Sequence, residues 1–178
     1  MQDVYSAEQV TDTDLRRLQG LALSGIEGLF ERRPATSGRF RNNLISICLC
    51  QGAALHREQT LAGISEPHGV KDLDVWCFFS QVPGFQFPPR WRLELDFGPS
   101  HLGRDPSIDA RFSGRKVDVM GRDIAFEQGD TPSRMIRRYL TTKPTGSAFY
   151  LARRPVIAIW PEGELGTAYW DLSDICNS

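Results

Sequence analysis

The chain has 178 residues, of which 40% are hydrophobic and 24% charged, with 21 basic and 22 acidic side chains. This composition is ordinary for a single globular domain and excludes a disordered chain, a collagen and a coiled coil. The formal net charge of −1 argues against a protein that coats duplex DNA without sequence preference.

The first half of the chain shows clear helix and strand patterns. Hydrophobic residues at helical spacing predict an N-terminal helix over about 12–33, which ends before Pro34. The β-branched apolar run over 44–50 predicts a buried strand. This run is far too short to span a membrane, so we expect no membrane partner. Gly52 follows the strand, and good helix formers follow Gly52.

The middle of the chain predicts three more strands, over about 72–79, 91–97 and 115–122. Between the last two, residues 98–114 are rich in Gly, Pro, Asp and Ser, which predicts a loop. A helix is then predicted to begin near Thr131. The proline that follows Thr131 is compatible with this start, since proline is tolerated in the first helical turn.

The C-terminal part carries two apolar stretches, over 149–152 and 156–160, that are separated by a proline. They predict a helix and then a strand, or two helical pieces. We therefore expect residues 1–178 to form one domain of the α/β (α+β) class, with a small mixed sheet and packed helices. Residues of about 131–178 are expected to form a helical and strand appendage.

The cysteines give no sign of a metal site or a disulfide. Cys48, Cys50, Cys77 and Cys176 lack the CxxC and Cys/His spacings of zinc sites. The N-terminus also lacks the basic and apolar regions of a secretory signal. We therefore expect a cytoplasmic protein with free thiols.

Three aspartates lie on two of the predicted strands. Because side chains alternate along a strand, Asp72 and Asp74 share one face, and Lys116 and Asp118 share one face of the later strand. If the two strands are neighbours, three carboxylates converge into an oxygen ligand set suited to Mg²⁺ or Mn²⁺. The structural alternative is a set of ion pairs, with Lys116 as the partner of Asp118.

Gly52 lies between a buried strand and the start of a predicted helix. A glycine there lets the backbone approach a ligand closely, and the N-terminal end of a helix attracts anions. We therefore expect Gly52 and Ala53 beside a phosphate, with Lys71 and Lys116 as further phosphate contacts. A plain turn glycine and solvated lysines are the alternative interpretation. Trp91 is our candidate for stacking on a base.

The order of these motifs resembles the nucleotidyltransferase superfamily with the DNA polymerase beta-like fold. That family has an apolar strand, a glycine turn that opens a helix, Asp-x-Asp on the next strand and a single Asp on a later strand. The resemblance covers about 44–125, which we take as the core, and extends to a small, poorly characterised bacterial group. The stretches that carry it are QGAALH at 51–56, GVKDLDVW at 69–76, DFGPS at 96–100 and RKVDVMGR at 115–122.

The resemblance implies an enzyme that transfers a nucleoside monophosphate from a nucleoside triphosphate to an acceptor hydroxyl. Asp72, Asp74 and Asp118 would bind two Mg²⁺ ions, and the triphosphate would lie over Gly52 and Ala53. The family usually has Ser or Gly at the position of Ala53. The acceptor could be a small molecule, a protein or an RNA end, and a partner protein could complete the site.

Two other functions fit parts of the pattern. A catalytically degenerate relative would only bind nucleotide, for example as one half of a toxin–antitoxin or defence pair. A metal-dependent nuclease would combine Asp74 with Glu94 and Asp96. It lacks the expected lysine and leaves Asp118 without a role, so we expect it less than the transferase.

Overall fold

A six-stranded mixed β-sheet organises the chain. The structure is a computed structural model that describes residues 4–108, 110–142 and 146–177. Within these residues the sheet carries helices on both faces, which confirms the predicted fold class. The helices are α1 (Asp12–Arg32), α2 (Gln51–Leu61), α3 (Pro132–Thr142), α4 (Gly146–Leu151) and α5 (Leu172–Cys176).

The strands run in the order β3-β4-β2-β1-β5-β6 across the sheet. The parallel pair is β2 with β4, and the other neighbours are antiparallel. Their bounds are β1 (Leu44–Cys50), β2 (Leu73–Ser80), β3 (Arg92–Asp96), β4 (Lys116–Ile124), β5 (Val156–Trp160) and β6 (Ala168–Trp170).

The N-terminal helix and the first strand confirm the sequence prediction. Thr11 caps α1: its hydroxyl accepts a hydrogen bond from the Asp14 backbone N–H, and the Asp14 carboxylate accepts one from the Thr11 backbone N–H. This reciprocal pair satisfies two backbone donors that a helix start otherwise leaves free. The strand β2 begins at Leu73, so Asp72 lies one residue before the strand rather than within it.

The C-terminal part belongs to the same sheet. Of the two alternatives for the apolar stretches, helix followed by strand is confirmed, as α4 and β5. The strand β5 pairs with β1, and β6 pairs with β5. The segment expected as an appendage therefore supplies two strands of the sheet, and β6 and α5 were not predicted.

The two faces of the sheet are covered unequally. One face packs fully against α1 and α2, where residues such as Leu18, Ala54 and Val75 are buried. On the other face, α3 and α4 cover β1 and β5 through residues such as Ile136 and Leu151. Around β3 and the start of β4, the second face carries polar residues and remains partly accessible. No helix in the described ranges is long and apolar enough to cross a bilayer.

Asp96 holds the long loop that leads into β4. Its carboxylate accepts hydrogen bonds from the backbone N–H groups of Gly98, Ser113 and Gly114 and from the Ser113 hydroxyl. The two ends of the loop are so close that a Cβ at Gly114 would lie 1.9 Å from the carbonyl oxygen of Gly98. The loop predicted over 98–114 is therefore closed at its base by one aspartate.

This closure predicts a large effect of one methyl group. We expect Gly114→Ala to lower the free energy of unfolding by about 2–4 kcal/mol, because backbone must move to relieve the overlap. Gly20 is the matched control: it lies exposed in α1 with no atom within 4 Å of an added Cβ. Gly20→Ala should stabilise the helix by about 0.5–1 kcal/mol. Urea unfolding of both variants measures the difference, and equal stability of Gly114→Ala and wild type would contradict it.

Candidate functional site

Two of the three predicted aspartates lie directly opposite each other. The strands β2 and β4 are neighbours, as the metal-site hypothesis requires, and Asp74 is paired in register with Asp118. Residues paired in register point to the same face of a sheet. Asp72 lies one residue before β2 and is half-buried.

Asp118 is already neutralised by two cations. Its side chain is 3% exposed. The Arg92 Nε donates to Oδ1 at 3.1 Å, the Arg92 guanidinium is 2.8 Å from Oδ2, and the Lys116 Nζ is 3.0 Å from Oδ2. The ion-pair alternative for Lys116 is therefore present, although Lys116 and Asp118 are only two residues apart. In this arrangement Lys116 is committed to a carboxylate and not free for a phosphate.

Asp74 has no such partner. Within the described chain its carboxylate forms neither a hydrogen bond nor a salt bridge. Burial, followed by the charges of Asp72 and Asp118, raises the pKa of Asp74 to about 7, although Arg92 and Lys116 partly oppose this. The raised pKa reflects burial first and, after it, the negative charges that gather at this point of the sheet.

A cleft of about 980 Å³ opens beside this charge. Of the predicted site residues, Gly52, Lys71, Asp72 and Asp74 line it. Ala53, Lys116 and Asp118 do not. The Ala53 side chain is buried in the core below α2, so only its backbone could serve a ligand.

The sequence predictions missed a second, basic wall of the cleft. Arg153 and Arg154 line it, together with His68. The two arginines lie there because the antiparallel pairing of β5 with β1 brings the start of β5 beside the end of β1, where α2 begins. No local sequence pattern predicts this position, because the place of two arginines before a strand depends on which strand lies beside it.

Gly52 lies where this wall meets the start of α2. A Cβ at Gly52 would lie 3.2 Å from His68 Nε2 and 3.3 Å from Arg154 Nη1. The left-handed backbone conformation belongs to the preceding residue, Gln51, at a φ of 59°. Gly52 is therefore favoured by the space around it, and not by the geometry of a plain turn.

His56 and the candidate Trp91 both lie outside the cleft. His56 is fully buried, where its Nδ1 accepts from the Gly69 N–H at 3.2 Å and its Nε2 is 2.9 Å from the Glu8 carbonyl oxygen. It is a structural histidine. Trp91 packs edge-on against Phe87 with ring centroids 5.9 Å apart and does not line the cleft, so the expectation that it stacks on a base there is wrong.

The nuclease arrangement finds no support in the geometry. Asp96 is occupied by the loop. Burial alone would raise its pKa, but the hydrogen bonds from Ser113, Gly98 and Gly114 lower it to about 2. Glu94 lies on β3 opposite Asp118, and β4 separates it from Asp74.

The carboxylates fit a divalent cation only in part. In the part of the chain that the structure describes, no group of three or more His, Cys, Asp or Glu side chains is arranged to hold a metal. The predicted cage of three aspartates is not assembled, because Asp118 is bound to Arg92 and Lys116. The pair Asp72 and Asp74 still fits the way Mg²⁺ binds in many sites, through one or two carboxylates and the phosphates of a substrate.

Comparison of the chain with protein-family models, curated proteins and solved structures gives no match. The functional assignment therefore depends on the residues of this chain.

The charge at Asp74 predicts an unusual pH dependence of stability. Between about pH 4 and pH 7 the folded protein keeps a proton on Asp74 that the unfolded chain releases. The free energy of unfolding therefore decreases as the pH rises through this range. We expect Asp74→Asn to flatten this decrease and to be more stable than wild type at pH 8.

Urea unfolding at several values between pH 4 and pH 8 measures this effect. The matched control is Glu94→Gln, which removes an exposed carboxylate from the same face of the sheet but outside the cleft. It should retain the wild-type pH dependence. An Asp74→Asn profile parallel to that of wild type would show that folding does not raise the pKa of Asp74.

Proposed function

We propose that the protein is a Mg²⁺-dependent nucleotidyltransferase that moves a nucleoside monophosphate from a nucleoside triphosphate to an acceptor hydroxyl. The observation that carries this proposal is the in-register pair of Asp74 and Asp118 on parallel neighbouring strands, with Asp74 lining a cleft that also contains Gly52. The motifs resemble the nucleotidyltransferase superfamily, and this resemblance implies that the two aspartates bind Mg²⁺.

The charges of the cleft suit a metal–triphosphate complex. Asp72 and Asp74 supply negative charge at one side, and Lys71, Arg153 and Arg154 supply positive charge around it. A bare triphosphate would be repelled by the aspartates, and a bare cation by the basic wall. A complex of the two satisfies both sides, since the cation faces carboxylates and the phosphate oxygens face arginines and lysine.

The proposed reaction forms one bond and breaks another. The oxygen of the acceptor hydroxyl bonds to the α-phosphorus, the bond from that phosphorus to the oxygen shared with the β-phosphate breaks, and pyrophosphate leaves. The proton of the hydroxyl passes to water. The chain's own contribution is to orient the phosphates and to balance their charge, which accounts for much of catalysis in phosphoryl transfer.

Mg²⁺ would be held by Asp72 and Asp74, and by Asp118 if it exchanges its cation partners. Bound there, it supplies charge neutralisation for the phosphates and acidifies the attacking hydroxyl. The proposal keeps the cytoplasm as the location, in line with the free thiols of all four cysteines. The acceptor stays open among a small molecule, a protein and an RNA end, and a partner protein could complete its site.

Thermal unfolding with nucleotides tests the binding part of the proposal. With ATP, GTP, CTP or UTP at about 100 times its Kd, the stabilisation is about 2.7 kcal/mol. At this chain length that raises the Tm by about 5–10 °C. We expect such a shift only when Mg²⁺ is present, and we expect Asp74→Asn to lose it.

The control is again Glu94→Gln, which should show the full shift. Absence of any Mg²⁺-dependent shift with all four nucleotides would overturn the proposal. Transfer itself is measured as pyrophosphate release with pooled acceptors of each class, namely small molecules, proteins and RNA.

A second function, nucleotide binding without transfer, is favoured by one observation. Asp118 is held by Arg92 and Lys116, and a transferase would need that carboxylate near the phosphates. In a pure binding module, Asp118→Asn would leave the affinity for Mg²⁺–nucleotide unchanged and no acceptor would be modified. In a transferase the same variant should lose pyrophosphate release by at least about 100-fold, as expected when a group acting at the reacting atoms is removed.

A further inference from the structure

Exposed aromatic rings gather at the proposed nucleotide cleft. Tyr5 is 49% exposed, Phe149 48% and Tyr150 66%, and all three line the cleft. Several exposed rings at one cleft are typical of a surface that binds a ligand or partner. Two of the rings belong to α4, whereas Asp74 belongs to β2.

Three cations beside these rings lack a carboxylate partner within the described residues. The arginines that form ion pairs in the described ranges lie outside the cleft; examples are Arg57 with Asp12 and Arg137 with Asp174. By contrast, no salt bridge is formed by Lys71, Arg153 or Arg154 with any residue of the described ranges. Unpaired guanidinium groups at a cleft favour an anionic ligand with a fork of oxygens, such as a phosphate chain.

Rings and cations follow one another along a single short segment. Phe149 and Tyr150 lie near the end of α4, and Arg153 and Arg154 come directly after it. Arg153 already stacks over Phe149, with its Cζ 5.7 Å from the ring centroid. Tyr150 has no ring or cation contact within the residues that the structure describes, and Arg154 points its Nη1 toward Gly52.

We propose that residues 149–154 bind the nucleotide: Tyr150 stacks on the base, and Arg154 binds the phosphate chain beside Gly52. This inference rests on the proposed function and adds where each part of the substrate lies. A nucleotide is the ligand class that offers a flat ring and a polyanion in one molecule, which matches the pairing of an exposed ring with a free guanidinium. A protein surface would cover the rings without needing the arginine.

Two probes separate the two contacts. ATP carries a base and a triphosphate, whereas inorganic tripolyphosphate carries the phosphates alone. Titration calorimetry of the full chain with each probe, in Mg²⁺, gives the affinities. Tyr150→Ala should weaken ATP binding by about 5- to 100-fold and leave tripolyphosphate binding within twofold, because stacking is lost and phosphate contacts are not. Tyr150→Phe should restore ATP binding.

Arg154→Ala should weaken both probes by the same factor, of about 10-fold, because it acts on the phosphates that they share. The matched controls are Phe126→Ala and Arg134→Ala, an exposed ring and an exposed arginine that lie outside the cleft. Both should bind ATP and tripolyphosphate as wild type does.

The outcomes distinguish this inference from the proposed function. If Tyr150→Ala binds ATP as tightly as wild type while Asp74→Asn does not bind it, the base lies elsewhere and the inference fails, but the nucleotide site stands. If wild type binds neither probe, both fail. If Tyr150→Ala changes only the oligomeric state in light scattering, the rings serve contact with a second copy and the inference fails.

Discussion

The parallel pairing of β2 with β4 places two carboxylates face to face in a half-buried part of the sheet. Hydrophobic contacts on the far face fix this register, because slipping either strand by one residue would turn Val75 and Val119 out of the core. The core thus forces Asp74 and Asp118 together whether or not a cation is present. Such an electrostatic cost, imposed by well-packed neighbours, is more typical of functional sites than of structural ones.

The fold balances this cost on one side only. Arg92 from β3 and Lys116 from β4 neutralise Asp118 and leave Asp74 without a partner. One more basic residue near Asp74 would have been enough to pair this carboxylate as well. Instead, Arg153 and Arg154 line the same cleft without a salt bridge to either aspartate, so a ligand that enters the cleft meets both kinds of charge. Both proposals follow from this separation of charge.

Sequence patterns predicted those parts of the molecule that are local. The apolar run of β1, the alternation in β2 and β4 and the helical spacing of α1 are properties of short segments, and their bounds agree closely with the structure. Asp74 and Asp118 were predicted to face each other only if their strands are neighbours. The residues of a strand do not by themselves determine which strand lies beside it.

The misses have the same cause. Arg154 reaches Gly52 only because β5 inserts beside β1, and Arg92 reaches Asp118 only because β3 lies beside β4. Trp91 offered a plausible ring, yet it packs against Phe87, while the exposed rings that line the cleft belong to α4 and the N-terminal segment, beside Trp76 of β2. The resemblance to the nucleotidyltransferase superfamily included Asp72 and Asp74 on the acidic side of the cleft and did not extend to Arg153 and Arg154.

The insertion of β5 beside β1 has a consequence for how the protein matures. Asp74 lies on a strand made early in the chain, and Arg153 and Arg154 precede a strand made late, so neither half contains a complete cleft. A chain emerging from the ribosome carries the acidic wall well before the basic one. Under both proposals, ligand affinity would arise only when β5 pairs with β1, which would couple the onset of binding to the completion of folding.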